Sequence, residues 1–158
     1  MDNIVIRRAC LEDLYEIQKL NNELFNLELK NYDPSLKEYW PISKEGEKYF
    51  KEKIEKDIVI VACLEEDVVG YLAGTLNAQF SYNNNLQAEI DNMCLREEFR
   101  HLGIGKRLFE EFRKICVYNE VDEIKVTASY KNENAKSFYR EMGFTETEVT
   151  LKHSLKNN

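Results

Sequence analysis

Apolar residues change their spacing several times along this chain, and each change marks an element. Ile4-Val5-Ile6-Arg7-Arg8 is a short β-branched run, the pattern of a first strand. Leu14, Ile17, Leu20 and Leu24 then recur at helical spacing, which predicts a helix from about Leu11 to Leu29. Asp33-Pro34 and Trp40-Pro41 interrupt the pattern, so Asn31 to Ile42 reads as a loop. Ser43 suits the N-cap of a second helix with Tyr49, Phe50 and Ile54 on its buried side. Asp57 to Leu64 and Val68 to Ala78, separated by Glu65-Glu66-Asp67, predict a hairpin. Tyr82 to Asn85 reads as a turn and Gln87 to Leu95 as a fourth strand. Leu108, Phe112 and Ile115 stripe a helix over Ile104 to Tyr118, and Glu123 to Ser129 is a fifth strand. Ala135, Phe138, Tyr139 and Met142 predict a last helix ended by Gly143, with a final strand over Glu146 to Leu155.

A strand meander followed by βαβ crossovers implies an α/β fold with a mixed sheet and helices on both faces. With 158 residues, no repeat and no linker, one domain over 1–158 is expected. Apolar residues at 43% and charged residues at 32% give an ordinary globular balance, so composition alone does not narrow the function. The net charge of −7 argues against a nucleic-acid partner, because phosphate contacts need clustered Lys and Arg. It is compatible with a cationic substrate. Cys10, Cys63, Cys94 and Cys116 form no CxxC pair and there are only two histidines, so no metal site is expected. There is no disulfide framework, no signal peptide and no apolar run near the ~20 residues that span a bilayer. A cytoplasmic protein with no membrane partner is the expectation.

Three stretches carry candidate chemistry. Arg100-His101-Leu102-Gly103-Ile104-Gly105-Lys106 follows a strand and opens an apolar-striped helix. Free amides at a helix start, aided by the helix dipole, receive anions. Gly103 and Gly105 lack a Cβ and allow close approach, and Arg100 and Lys106 add charge at the rim. On the fourth strand, alternation puts Glu89 and Asp91 on one face and Ile90, Asn92 and Cys94 on the other. A carboxylate there can take the proton of an amine, whose ammonium form has no lone pair. Tyr139 can donate a proton, or serve simply as a core aromatic, and Asn132 or Asn134 can cap the last helix.

In order and spacing, Glu89 to Phe144 resembles the GNAT superfamily of acyl-CoA-dependent N-acyltransferases, and the resemblance extends loosely over the rest of the chain. It implies a mostly antiparallel mixed sheet, splayed between strands 4 and 5 by a bulge in strand 4, with acetyl-CoA as cosubstrate. Arg100 to Gly105 resembles the family's Arg/Gln-x-x-Gly-x-Gly/Ala signature. There, backbone amides hold the pyrophosphate of CoA, which makes the His101 imidazole a solvent-facing bystander and leaves the side chains of Leu102 and Ile104 free to vary. Ala88-Glu89-Ile90, sixteen residues before Gly105, is similar to the Ala-Glu-Ile strand of the histone-acetyltransferase branch, which implies Glu89 as base with Asp91 as rival. Met93, Cys94 and Leu95 fall where the pantetheine arm pairs with the backbone and an amide polarises the thioester carbonyl. Cys94 as an acyl carrier would lack a histidine partner.

Asn132-Glu133-Asn134-Ala135-Lys136-Ser137-Phe138-Tyr139 resembles the family's Asn-x-x-Ala-x-x-Phe-Tyr segment. That implies Tyr139 as the acid for the departing thiolate and Asn132 as a cofactor contact. The implied activity is acetyl transfer to a primary amine by direct attack in a ternary complex, without a metal. The expected acceptor is a small cationic amine, with Glu23, Glu28, Asp33 and Glu38 either lining an acidic mouth or merely solvated. A protein N-terminus or lysine as acceptor, and a CoA-binding module without turnover, stay as alternatives. A homodimer is left open.

Overall fold

The computed structural model describes residues 3–76 and 84–155. Ala78, at the end of the expected third strand, and Tyr82-Asn83 of the expected turn lie outside the described residues. The chain runs β1 (Ile4–Arg8), α1 (Leu14–Asn31), α2 (Lys44–Lys56), β2 (Ile58–Leu64), β3 (Asp67–Thr75), β4 (Gln87–Leu95), α3 (Ile104–Tyr118), β5 (Glu123–Val126) and α4 (Glu133–Glu141). Single 3-10 turns at Leu11–Asp13 and Trp40–Ile42 lead into α1 and α2. Ser43 caps α2 by accepting the Gly46 N–H at 3.2 Å, as its position suggests.

One sheet holds the strands in the order β1-β2-β3-β4-β5. Every pairing is antiparallel except β4 with β5, which is parallel. Alternation along β2 divides the core. Ile60 and Ala62 pack with Leu72, Ala88 and Ile90 against Leu108, Phe109 and Phe112 of α3. Val59, Val61 and Cys63 pack with Tyr71, Ala73 and Cys94 against Ile17 and Leu20 of α1 and Phe50 of α2. The helices therefore cover both faces of a mixed sheet, as the pattern of the sequence requires.

The expected strand over Glu146 to Leu155 does not form. Its alternating apolar residues Val149, Leu151 and Leu155 are 80%, 90% and 89% exposed. The edge beside it is β5, four residues long. A lone strand there would gain few ladder bonds and still leave its own far edge open. The segment is tied by charge instead: Glu148 pairs with Lys125 of β5 at 3.1 Å, Glu146 with Arg140 of α4, and Lys152 with Asp33 at 4.0 Å.

Where β1 meets α1, Asp13 is 6% exposed and accepts two bonds from the Arg7 guanidinium, at 2.7 and 2.9 Å, and the Cys10 N–H at 2.9 Å. Burial pushes this carboxyl up, but Arg7 and the Cys10 amide overcome it and hold it below the usual aspartate range. Asp13→Ala is expected to destabilise by about 2 kcal/mol, since it strands a partly buried guanidinium. A carboxyl depressed in the folded state contributes its stability above the unfolded pKa of about 4 and loses it as pH falls through the folded value. Urea unfolding of wild type and variant should therefore converge in strong acid; a gap that persists there would contradict the assignment.

Candidate active site

β4 and β5 pair only from Gln87↔Glu123 to Ile90↔Val126. The register of β4 with β3 jumps at the same place, from Gly74↔Ile90 to Ala73↔Asn92, leaving Asp91 as an extra residue. This is a β-bulge, which bends its strand and breaks alternation. Past it β4 turns away from β5, and the sheet forks. The fork also shortens β5: Thr127 to Ser129, expected in the strand, have no β4 partner and leave the ladder.

The bulge also corrects the expected faces. Ile90 stays in the layer against α3, while Asn92 and Cys94 turn toward α1 and α2. Asn92 Oδ1 accepts the Tyr71 hydroxyl at 2.6 Å, and the Tyr71 hydroxyl oxygen in turn accepts Asn21 Nδ2 of α1 at 2.7 Å. Glu89, between the α3-facing Ala88 and Ile90, points to the α1/α2 face. Its neighbour across the parallel ladder is Lys125, which is drawn instead to Glu148 at 3.1 Å. Among the described residues no hydrogen bond or ion pair engages the Glu89 carboxylate. Asp91 is committed: its Oδ2 accepts Lys53 Nζ and Thr75 Oγ1, each at 2.8 Å.

The turn before α3 is built as an anion receiver. Its first intrahelical bond is Arg107 N–H to Gly103 C=O at 3.2 Å, and no side chain caps Gly103. The amides of Ile104, Gly105 and Lys106 therefore lack an intrahelical acceptor. His101 and Gly103 both take left-handed backbone, at φ 60° and 78°. A Cβ on Gly103 would meet nothing within 4 Å, so that glycine serves conformation and leaves open space. Gly105 differs: a Cβ there would come 3.2 Å from Phe138 Cε2, so it makes room for α4 rather than for a ligand. Arg100 Nε donates to Leu95 O at 3.1 Å, tying the end of β4 to the turn. His101, Leu102 and Lys106 are exposed.

α4 flanks the fork. Asn132 caps it, its Oδ1 accepting the Ala135 N–H at 3.0 Å, which leaves Nδ2 available to donate outward. Tyr139 sits between Phe138 and Phe144, with ring centroids 5.2 and 5.4 Å away. Burial, aided by Glu28, pushes its phenol up to about 12, so the proton stays on across the working range. Burial likewise pushes the Cys94 thiol up to about 11, and its Sγ faces Leu95 O at 3.8 Å. A thiol held protonated is a poor acyl carrier.

Two contributors were weakly marked or unmarked in the sequence. Glu28 of α1 is half-buried, and among the described residues its carboxylate has no partner. Burial and then Asp33 raise it above the usual glutamate range. Its charge adds to the upward push of burial on the Tyr139 phenol of α4, the Tyr71 phenol of β3 and the Cys94 thiol of β4. The available signal was its place four residues after Leu24, on the buried stripe of α1. Lys53 carried no such signal, because its partner Asp91 is 38 residues away.

A helix start with orphaned amides, a cleft with unpaired strand backbone and a phenol beside it together suit a phosphate-bearing thioester. Among the described residues no group of three or more His, Cys, Asp or Glu side chains is gathered as a metal site, and no helix is long and apolar enough to cross a membrane.

A sheet forked between a bulged strand and its parallel neighbour, with a helix start at the fork, is the architecture of the GNAT transferases. The sequence agrees: the model of the Acetyltransferase (GNAT) family matches residues 14–144, and the chain belongs to that family. It is 28% identical over 99 residues to the L-amino acid N-acetyltransferase AaaT of Escherichia coli, a match covering 62% of this chain and 59% of that protein. The chain thus spans about three-fifths of the length of that curated relative. A single-substitution mutant of the BH1408 protein of Bacillus halodurans superimposes with a TM-score of 0.86 at 22% identity, over 96% of this chain and 99% of that one. The aminoglycoside N-acetyltransferase AAC(6')-Iy, in complex with the bisubstrate analogue CoA-S-monomethyl-acetylneamine, does so at 0.75 and 15%, over 98% and 99%. At these identities the two structures speak for the fold.

Proposed function

We propose that this protein moves an acetyl group from acetyl-CoA to a small cationic amine, by direct attack within a ternary complex. The observation that carries the reading is the fork at Asp91, with the orphaned amides of Ile104 to Lys106 at its mouth. Acetyl-CoA, when bound, supplies the activated acyl group. The α3 amides receive its pyrophosphate, and the β4 backbone over Met93 to Leu95 pairs with its pantetheine arm. One of those amides donates to the thioester oxygen as negative charge develops there.

Glu89 is the base: its carboxylate is uncommitted on the acceptor-facing side of the sheet, whereas Asp91 is spent on Lys53 and Thr75. Tyr139 is the acid: burial keeps its proton on, available to the departing sulfur. The small-amine acceptor is supported by the names of two relatives, one for L-amino acids and one for aminoglycosides. Its positive charge is supported by Glu28, a half-buried carboxylate with no cation of its own among the described residues. A second ammonium or guanidinium on the acceptor would supply one.

Glu28→Gln separates this role from a structural one. A carboxyl whose pKa is raised on folding opposes folding at neutral pH, so its replacement should leave stability unchanged or slightly higher. The acceptor KM should rise by about tenfold or more for diamines and aminoglycosides, with the acetyl-CoA KM little changed. Thiol-release kinetics across polyamines, aminoglycosides and amino acids reads this. An unchanged acceptor KM would remove Glu28 from the acceptor site.

A further inference from the structure

Lys53 lies on α2, far in sequence from the fork, yet it ends at the bulge. Its Nζ donates to Thr75 Oγ1 at 2.5 Å and to Asp91 Oδ2 at 2.8 Å, and stands 3.1 Å from Asp57 Oδ2. Thr75 Oγ1 closes the triangle, donating to the same Asp91 oxygen at 2.8 Å. The side chains are largely withdrawn from water, Lys53 at 13% exposed and Asp91 at 20%. A long, mobile lysine gives up much freedom to hold this geometry. Burial pulls its ammonium pKa down, but Asp91 and Asp57 reverse that, so the charge is kept.

The place of this cluster matters more than its strength. Asp91 is the extra residue of the bulge, and the next residue, Asn92, is held separately through Tyr71 and Asn21. Both residues at which β4 leaves β5 are thus fastened to the acceptor-side layer, one to α2 and one to α1. Without the Lys53 charge, Asp57 and Asp91 would face each other uncompensated, and β4 would move off α2. The Met93 to Leu95 backbone follows directly in the chain and would shift with it.

We propose that Lys53 is a positioning residue: through Asp91 it pins the bulge of β4 and so sets the opening of the fork that receives the pantetheine arm. This rests on the acetyl-CoA reading above. It also makes Asp91 part of the pin rather than a base.

The test combines two readouts on Lys53→Met, Asp91→Asn and the double variant. Hydrogen exchange needs no ligand. The pin requires exchange across residues 91–95 to quicken by about tenfold or more in each variant, while α3 keeps its wild-type protection. CoA titration by calorimetry should show binding weakened about 5- to 30-fold in either single variant, with the double no worse than the weaker single. With an accepted amine, the acetyl-CoA KM should follow the binding loss and kcat should fall with it, since the same backbone carries the oxyanion amide, while the acceptor KM stays within about threefold. Unchanged exchange at 91–95, exchange raised equally everywhere, or losses that multiply in the double variant would each overturn the pin. Failure of the wild-type protein to bind CoA would overturn the functional reading and the pin's part in it, and the exchange data would show separately whether the pin exists.

Discussion

Glu89→Gln is expected to lower kcat by about 10²-fold or more, while CoA binds as before. The amide is nearly isosteric and cannot accept the amine proton. Its surroundings ask nothing structural of the charge, since among the described residues no ion pair or hydrogen bond engages it, and Lys125 across the ladder is held by Glu148. Stability should therefore be within about 0.5 kcal/mol of wild type. Raising the pH restores the neutral amine without a base, so the defect should shrink as pH approaches the acceptor's own pKa. A variant with wild-type kcat at neutral pH would move the base elsewhere. Asp91→Asn serves as contrast: by its contacts it should weaken CoA binding, which Glu89→Gln leaves as before.

Tyr139→Phe is expected to have the second large effect, also about 10²-fold in kcat. The ring remains to pack between Phe138 and Phe144, and only the hydroxyl is lost. Because burial holds the phenol at about 12, the wild-type rate should show no fall from its ionisation at any ordinary assay pH. The deficit in Tyr139→Phe should therefore be constant with pH, unlike that of Glu89→Gln. Its size should also depend on the leaving group: a thioester of a more acidic thiol departs without help and should narrow the gap. Equal rates for Tyr139→Phe and wild type would leave Tyr139 as a core aromatic.

Much of this was legible in the sequence where local pattern and tertiary demand coincide. β4 and α3 begin and end at the expected residues because alternation, the apolar stripe and Gly103 all agree there. The helix-ending role of Gly143 is realised at φ 92°. What alternation could not supply is the bulge: one extra residue at Asp91 turns Asn92 and Cys94 to the opposite face, and only the pairing with β3 fixes where it falls. The same event ends β5 early. The segment after Phe144 has strand-like alternation but no adequate partner, so pattern alone overstates it. Lys53 owes its importance to Asp91 and Thr75, distant in sequence, which periodicity does not encode, whereas Glu28 already stood among the four acidic-mouth candidates.

The decisive experiment incubates the wild-type protein with acetyl-CoA, with and without small cationic amines, while following free thiol and the mass of the amine. Acetyl transfer in a ternary complex requires thiol release that depends on the amine and matches, mole for mole, the acetylated amine formed. Thiol release without an amine would instead mean hydrolysis, and no binding of acetyl-CoA at all would contradict the reading of the fork and the α3 amides.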